Sequence, residues 1–175
     1  MCSSDLISPN YVNWNVTAPD ESAVGSPGGC YTTTAVGCPA AIMTLPQTGT
    51  YTINITPVDL QTVSATVAVA ENVTGTLTPG TTQTLNFSAQ AGQAARFTFT
   101  VTSGQSLTAS LASVATLPSN VQIWMGVYTL SESYVTGAAT TAGETLNLSL
   151  SPGTYYLWIG SLSMVTSGTM QLSFQ

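Results

Sequence analysis

LPQTGTYTINITP at Leu45–Pro57 returns in altered form as LSPGTYYLWIGSL at Leu150–Leu162. Gly49-Thr50-Tyr51 and Gly153-Thr154-Tyr155 anchor the match, 104 residues apart. That period is the size of one small β-domain, so the chain reads as the tail of one module followed by a complete second copy. Repetition at this interval points to a modular array, and such arrays are more often scaffolds or binders than catalysts.

Outward from the second anchor, apolar and polar residues trade places strand after strand. Ala95-Arg96-Phe97-Thr98-Phe99-Thr100-Val101 alternates strictly, as do Leu107–Leu111, Leu146–Leu150, Met170–Phe174 and, upstream, Val63–Val69. A period of two marks half-buried strands, because successive side chains leave a pleated backbone on opposite faces. Turn signals sit between the runs at Pro79-Gly80, Ala91-Gly92, Ser103-Gly104, Ala142-Gly143, Pro152-Gly153 and Ser167-Gly168. No segment reads as an amphipathic helix; Ala109–Leu117 comes nearest but carries too many β-branched and hydroxyl residues. The fold class is all-β, an antiparallel jelly-roll-like β-sandwich. Strands are expected near Val73–Leu77, Gln83–Ser88, Ala94–Thr102, Ser106–Ala112, Val121–Tyr128, Glu144–Leu150, Gly153–Gly160 and Gly168–Phe174.

The organisation that follows has three parts. Residues 1–6, MCSSDL, can be read as the translation of GTG TGC TCT TCC GAT CTN, the end of a common sequencing-library adapter. We read them as an assembly artefact on a metagenomic fragment, with a genuine short N-terminus as the alternative, and leave them out of fold reasoning. Residues 7–72 are the C-terminal part of a first β-sandwich repeat, and 73–175 a complete one. Val12–Val16 answers the Val121–Val127 strand, and Asp20-Glu21 answers Ser131-Glu132, at an offset of 111 rather than 104. The first copy is therefore longer just where Cys30 and Cys38 lie, and their loop reads as an insertion. A half-sandwich exposes its inner face, so Ile7–Ala70 is expected to be the less stable part.

With Cys2 set aside, Cys30 and Cys38 remain in PGGCYTTTAVGCPA, flanked by turn-formers. This suits a disulfide clamping a loop in an oxidising compartment, with unpaired buried thiols as the alternative. A metal site would need more soft ligands, and the chain has no His.

Composition narrows the function classes. The chain has 175 residues, 43% hydrophobic but only 5% charged, with a net charge of −6. Its surface must be built from Thr, Ser, Asn, Gln and Gly. Arg96 is the single basic side chain, so neither nucleic-acid phosphates nor anionic lipid headgroups find the cations they need. No apolar run is long enough for a transmembrane helix. Ser or Cys nucleophiles lack a His or Lys base. The carboxylates Asp20, Glu21, Asp59, Glu71, Glu132 and Glu144 fall at expected turns or strand starts, where solvated surface charge is the ordinary role. Glycine-rich phosphate loops are absent, since no Gly turn carries the Lys and the following helix. We therefore expect no catalytic residues, no metal and no cofactor. Five Asn-x-Ser/Thr sequons, at Asn15, Asn54, Asn72, Asn86 and Asn147, are what chance supplies in so Thr- and Asn-rich a chain.

Aromatic residues carry the one positive signal. If Tyr155, Leu157 and Ile159 face the core, alternation sends Tyr156 and Trp158 outward on the other side. Trp124 and Tyr128 leave the core-facing run Val121, Ile123, Met125, Val127 in the same way. Rings amid neutral hydrogen-bonding groups suit a carbohydrate-binding face. The plainer reading, which we prefer, is that these rings pack against a neighbouring copy or cover a loop.

QAARFTFTVTSGQSLTASL (Gln93–Leu111), NVQIWMGVYTL (Asn120–Leu130) and ETLNLSLSPGTYYLWIGSLSMVTSGTMQLSFQ (Glu144–Gln175) resemble the bacterial pre-peptidase C-terminal type domain. That family runs a Phe-rich strand, a GQ-L turn, a V-x-V strand, a GTYY-V strand and a final hairpin strand. TPGTTQTLNFSAQAGQAARFTF (Thr78–Phe99) is similar to tandem repeats of large secreted proteins of soil and gliding bacteria. The resemblance covers Val73–Gln175 fully and Val12–Ala70 in part. It implies a jelly-roll-like sandwich, an extracellular or cell-surface location, and an accessory role beside catalytic domains or in surface arrays. Neighbouring domains of the same polypeptide are then the expected partners, with polysaccharide as a further one. Some members bind calcium through acidic residues near the domain start. Here Val73–Gly92 holds no Asp or Glu, and only Glu71 stands beside it, so 6–8 oxygen ligands are not at hand.

The cysteine reading has a direct check: in protein secreted into an oxidising compartment, Cys30 and Cys38 should resist iodoacetamide until dithiothreitol is added. Alkylation of either thiol before reduction would remove the proposed clamp.

Overall fold

The computed structural model describes residues 11–31, 45–58, 64, 66–87, 92–103, 105–117, 119–161 and 167–175. Residues 1–6 and Cys38 lie outside these. The chain divides into two compact units, Met1–Val67 and Ala68–Gln175, and among the described residues every regular element is a strand.

The second unit is built from β4 (Val73–Thr76), β5 (Thr81–Phe87), β6 (Ala95–Val101), β7 (Leu107–Leu117), β8 (Ile123–Thr129), β9 (Tyr134–Thr140), β10 (Glu144–Leu148), β11 (Gly153–Ser161) and β12 (Ser167–Phe174). They form a five-stranded sheet, β4-β6-β11-β8-β9, and a four-stranded sheet, β10-β7-β12-β5. Alternation decides which side of each is buried. Phe97, Phe99, Met125, Val127, Leu157 and Ile159 project from the first sheet at 0–3% exposure, and Leu85, Met170, Leu172 and Phe174 meet them from the second at 0–2%. One apolar cluster contains them all. Phe99 and Phe174 tie the sheets together with ring centroids 5.1 Å apart.

Outside the core, the four-stranded sheet shows how a surface with few charges is made. Directly opposed residues pair through hydroxyls: Thr82 with Ser173 at 2.9 Å, and Ser110 with Thr145 at 2.9 Å. Gln171 Nε2 donates to Thr84 Oγ1 at 2.8 Å. Each such cross-strand pair contributes about 0.2–1 kcal/mol, the share that ion pairs supply on more charged sheets.

Three expectations need correction. The sheet is not wholly antiparallel: β4 runs parallel to β6, Val73 opposite Ala95 and Thr76 opposite Thr98. The intervening β5 lies in the other sheet, so the chain reverses twice and returns in its first direction. A further strand, β9, was not anticipated, because YVTGAAT carries little apolar alternation. Among the described residues it is an edge strand, paired only with β8, and edges need less apolar surface. Finally, the described part of Val63–Val69 forms no strand, although its alternation matches that of β12.

The first unit is a three-stranded antiparallel sheet, β2-β1-β3, of β1 (Tyr11–Thr17), β2 (Ala23–Tyr31) and β3 (Thr52–Pro57). β2 also escaped the sequence reading. Pro27 and three glycines interrupt it, and Pro27 falls in the break of register between the Val16–Val24 and Trp14–Gly28 pairs, a setting at a sheet edge and bulge that admits proline.

This sheet repeats the strand order of the β11-β8-β9 part of the second unit, and its β1–β3 ladder repeats the register; the β1–β2 ladder breaks between Trp14 and Val16, whereas β8–β9 breaks between Val127 and Tyr128. Val16 opposes Ile53 and Trp14 opposes Ile55; at the offsets of 111 and 104, Val127 opposes Leu157 and Met125 opposes Ile159. The turns agree as well. Ala18 N–H donates to Ser22 O and Glu21 N–H to Ala18 O, while Thr129 N–H donates to Ser133 O and Glu132 N–H to Thr129 O. Glu21 and Glu132 share the left-handed backbone, each at φ 66°, a conformation uncommon for Glu. Tyr51 and Tyr155 each donate a hydroxyl to the carbonyl four residues back, Gln47 at 2.7 Å and Ser151 at 3.0 Å.

The copies differ in cover. Leu157 and Ile159 are 0% exposed, whereas their counterparts Ile53 and Ile55 are 40% and 37% exposed. Truncating Leu157 to Ala should therefore cost about 2–5 kcal/mol by removing contacts on all sides. Ile53→Ala should cost about 1 kcal/mol, since water already reaches much of the side chain. Urea unfolding read by hydrogen exchange in each unit measures both, and equal costs would contradict the difference in burial.

Candidate functional site

The outer face of the five-stranded sheet gathers the aromatic residues that alternation sends away from the core. Tyr156 lies opposite Tyr128 on the neighbouring strand, and Trp158 opposite Gly126. Gly160 lies opposite Trp124, and Gly126 opposite Gly137. Each indole thus has glycine beside it. A Cβ on Gly126 would come within 2.5 Å of Trp124 Nε1, and one on Gly137 within 2.8 Å of Trp124 Cζ2. A Cβ on Gly160 would approach Trp158 Cζ2 to 2.5 Å. The indoles lie down over these bare backbone positions, a use of glycine inside a strand that close approach requires.

The tyrosines form a connected row. Tyr128 stacks on Tyr156 with centroids 5.3 Å apart and planes 11° from parallel. Tyr134, from β9, meets Tyr128 edge-on at 5.6 Å and Trp124 at 6.1 Å. Contacts of these kinds contribute about 0.5–1.5 kcal/mol each beyond area burial.

Arg96, the chain's single basic residue, closes the other end. Its guanidinium carbon stands 3.9 Å from the Tyr156 ring centroid. Its Nη1 reaches Glu132 Oε1, on the β8–β9 turn, at 3.8 Å. At this exposure the ion pair contributes at most about 1 kcal/mol, and the cation–π contact a similar amount. Burial raises the Tyr156 hydroxyl above its ordinary pKa, with Arg96 pulling the other way.

The structure thus brings together all four sequence candidates, Trp124, Tyr128, Tyr156 and Trp158, on one face, but it does not leave them equally open. Tyr156 is only 4% exposed, while Trp124, Tyr128 and Trp158 are half-buried. Tyr134, at 54% exposure, is the most open ring, and sequence reasoning missed it along with β9. It also missed Arg96 and Glu132 as a pair, which lie far apart in the chain. The glycines were the available signal, at mid-strand positions where nothing about a turn demands them. One donor on this face stands out: among the described residues, the Trp158 Nε1–H is buried with no hydrogen-bond partner.

Elsewhere the acids are scattered. Asp20 accepts from the Ser22 hydroxyl at 2.6 Å, the Gln47 amide at 2.6 Å and the Ser22 backbone at 3.1 Å, which lower its pKa to about 2. Among the described residues, no three His, Cys, Asp or Glu side chains come together as a metal-binding group. Cys30 sits half-buried on β2 opposite Val12, and Cys38 lies outside the described residues.

The fold and face define the class: an all-β sandwich repeat with an aromatic layer on one outer sheet. No family model matches the chain, and no curated protein matches it. Among solved structures it is similar to the pre-peptidase C-terminal domain of a collagenase from Bacillus anthracis. Identity is 19% and the TM-score 0.48, over 61% of this chain and 99% of that one.

If the indoles need bare backbone beneath them, Gly126→Ala should destabilise the second unit by about 1–3 kcal/mol through overpacking and change its near-ultraviolet circular dichroism. A neutral substitution would mean the rings yield without cost.

Proposed function

We propose that this chain is a non-catalytic accessory or spacer module, a tandem β-sandwich repeat of a secreted or cell-surface bacterial protein, with Cys30 and Cys38 joined as a disulfide. The observation that carries the reading is the internal repeat, which reproduces strand order, register, turn bonds and the Gly-Thr-Tyr hydroxyl contact. Chains that reuse one sandwich in this way serve to extend and display their neighbours. The outer aromatic layer fits the same role: its rings are largely engaged with one another, with glycine and with Arg96, as in a stiffened wall. A neutral hydroxyl surface suits a module that must stay soluble outside the cell without drawing polyanions to itself.

A second reading keeps the same face as a carbohydrate-binding surface of a secreted hydrolase, with Trp158, Trp124 and Tyr128 and with Tyr156 beneath them. The exposed Tyr134 ring favours it, since a sugar ring offers a face to stack on.

Retention of the purified chain on insoluble cellulose, chitin, xylan and peptidoglycan separates the two. The spacer reading expects no retention on any of them. Retention that falls at least tenfold in Tyr134→Ala and Trp158→Ala, with circular dichroism unchanged, would replace it with the carbohydrate reading.

A further inference from the structure

Two stretches of the first unit that lie far apart in the chain are fastened together at one point, and a single carboxylate is the fastener. The turn joining β1 to β2 carries Pro19 and Asp20, and the segment leading into β3 carries Gln47, Gly49 and Tyr51. Asp20 Oδ2 accepts from Gln47 Nε2 at 2.6 Å, across 27 residues of chain. Its Oδ1 accepts from the Ser22 hydroxyl at 2.6 Å and from the Ser22 N–H at 3.1 Å. Gln47 is held from its other side as well. Its backbone N–H donates to the Tyr51 hydroxyl at 2.9 Å, and its carbonyl accepts from that hydroxyl at 2.7 Å. Beside these bonds Pro19 sits so close to Gly49 that a Cβ there would come within 2.5 Å of Pro19 Cγ. Tyr51 in turn packs against the small apolar cluster of Val16, Ala18 and Val24.

The arrangement needs the negative charge. An ionised carboxylate only accepts, so it takes all three donors at once, whereas a protonated one must place a donor of its own. Neither the Gln47 amide nitrogen nor the Ser22 N–H can receive that donor. Hydrogen bonds to an ionised acceptor are also roughly twice as strong as neutral ones. The three bonds hold Asp20 below the ordinary 3.8, at about 2. Its contribution is therefore complete above 3.8 and is lost as the pH falls through about 2. Glu21 is the acid beside it on the turn, and Tyr51 is the titratable group on the facing segment. Arg96, the chain's single basic side chain, pairs with Glu132 in the second unit.

The second unit closes the same corner without an acid. Ser131 stands in the place of Asp20, and Ser151 in that of Gln47. Thr129 Oγ1 pairs with Ser131 Oγ at 2.9 Å and accepts from the Ser133 N–H at 3.1 Å, so hydroxyls close the turn. Tyr155 keeps its bond to the Ser151 carbonyl.

We propose that Asp20 is an acid-releasable clasp: ionised, it locks the Gln47–Tyr51 corner onto the β1–β2 turn, and protonated, it lets the corner go. Ser22 and Gln47 flank the stretch of sequence that holds β2, Cys30 and Cys38, so the clasp joins the two ends of that stretch. It acts on one copy of the repeat and spares the other, and it holds under either reading of the function.

Nuclear magnetic resonance of the whole chain tests this. The Asp20 carboxyl carbon should titrate with a midpoint of about 2 rather than 3.8. The Gln47 side-chain amide and the Tyr51 ring should shift at the same midpoint, while the Tyr155 ring does not follow. In Asp20→Asn the Gln47 and Tyr51 signals should stand at their low-pH positions throughout and lose their response to pH. A midpoint at 3.8, a Gln47 amide indifferent to the Asp20 titration, or a Tyr51 response that persists in Asp20→Asn would each overturn the clasp. So would a Tyr155 shift at the same midpoint, since the release would then be a loss of the whole fold. The titration of the unaltered chain decides the matter even where the variant fails to fold.

Discussion

Leu157 sits at the centre of the second unit, on the middle strand of one sheet and under the other, and no water reaches it. The fold depends on that arrangement: apolar side chains on every second residue, set face to face across two sheets. Backbone ladders hold strands side by side, but only the inward side chains hold one sheet upon the other. The first unit shows the consequence when the condition is half met. It has the strand order of its counterpart, the register of the β1–β3 ladder and the turn after β1, yet Ile53 and Ile55 remain wet. Val12 and Val16 on the neighbouring strand are nevertheless only 5% and 8% exposed, so burial in this unit is uneven across its sheet.

The outer face follows a different rule. A chain with one basic residue and seven acids cannot build a solvated surface from charge, and it uses two substitutes. On the four-stranded sheet, hydroxyls pair across strands. On the five-stranded sheet, rings lie over glycines and against one another, and Arg96 is held over Tyr156 rather than sent into solvent. Both are short-range solutions that salt screens little, unlike ion pairs. They also explain why the aromatic candidates differ so much in accessibility although they share one face.

Particular residues show why some features were legible in advance and others were not. The eight anticipated strands of the second unit are all present, because each carries a run of alternation tied to a buried face. Two edge strands were not anticipated. β2 is broken by Gly and Pro, and β9 is rich in Ala, Thr and Gly, so neither carries the apolar signature that a two-sided strand must have. The described part of Val63–Val69 has the signature without the strand, since alternation states what a segment can bury and not whether a partner is there. Tyr156 was assigned to the correct face, but its near-complete burial comes from Tyr128 and Arg96, which alternation cannot foresee.

By itself, then, the amino-acid order determined the all-β class, the inward and outward faces, and the repeat that links Tyr51 to Tyr155, because each follows from spacing along one strand. Tertiary structure alone decided the parallel pairing of β4 with β6, the ring of Tyr134 beside Trp124, and the contrast between a dry Leu157 and a wet Ile53. Those depend on which strands become neighbours across long stretches of chain. No short-range pattern encodes that choice.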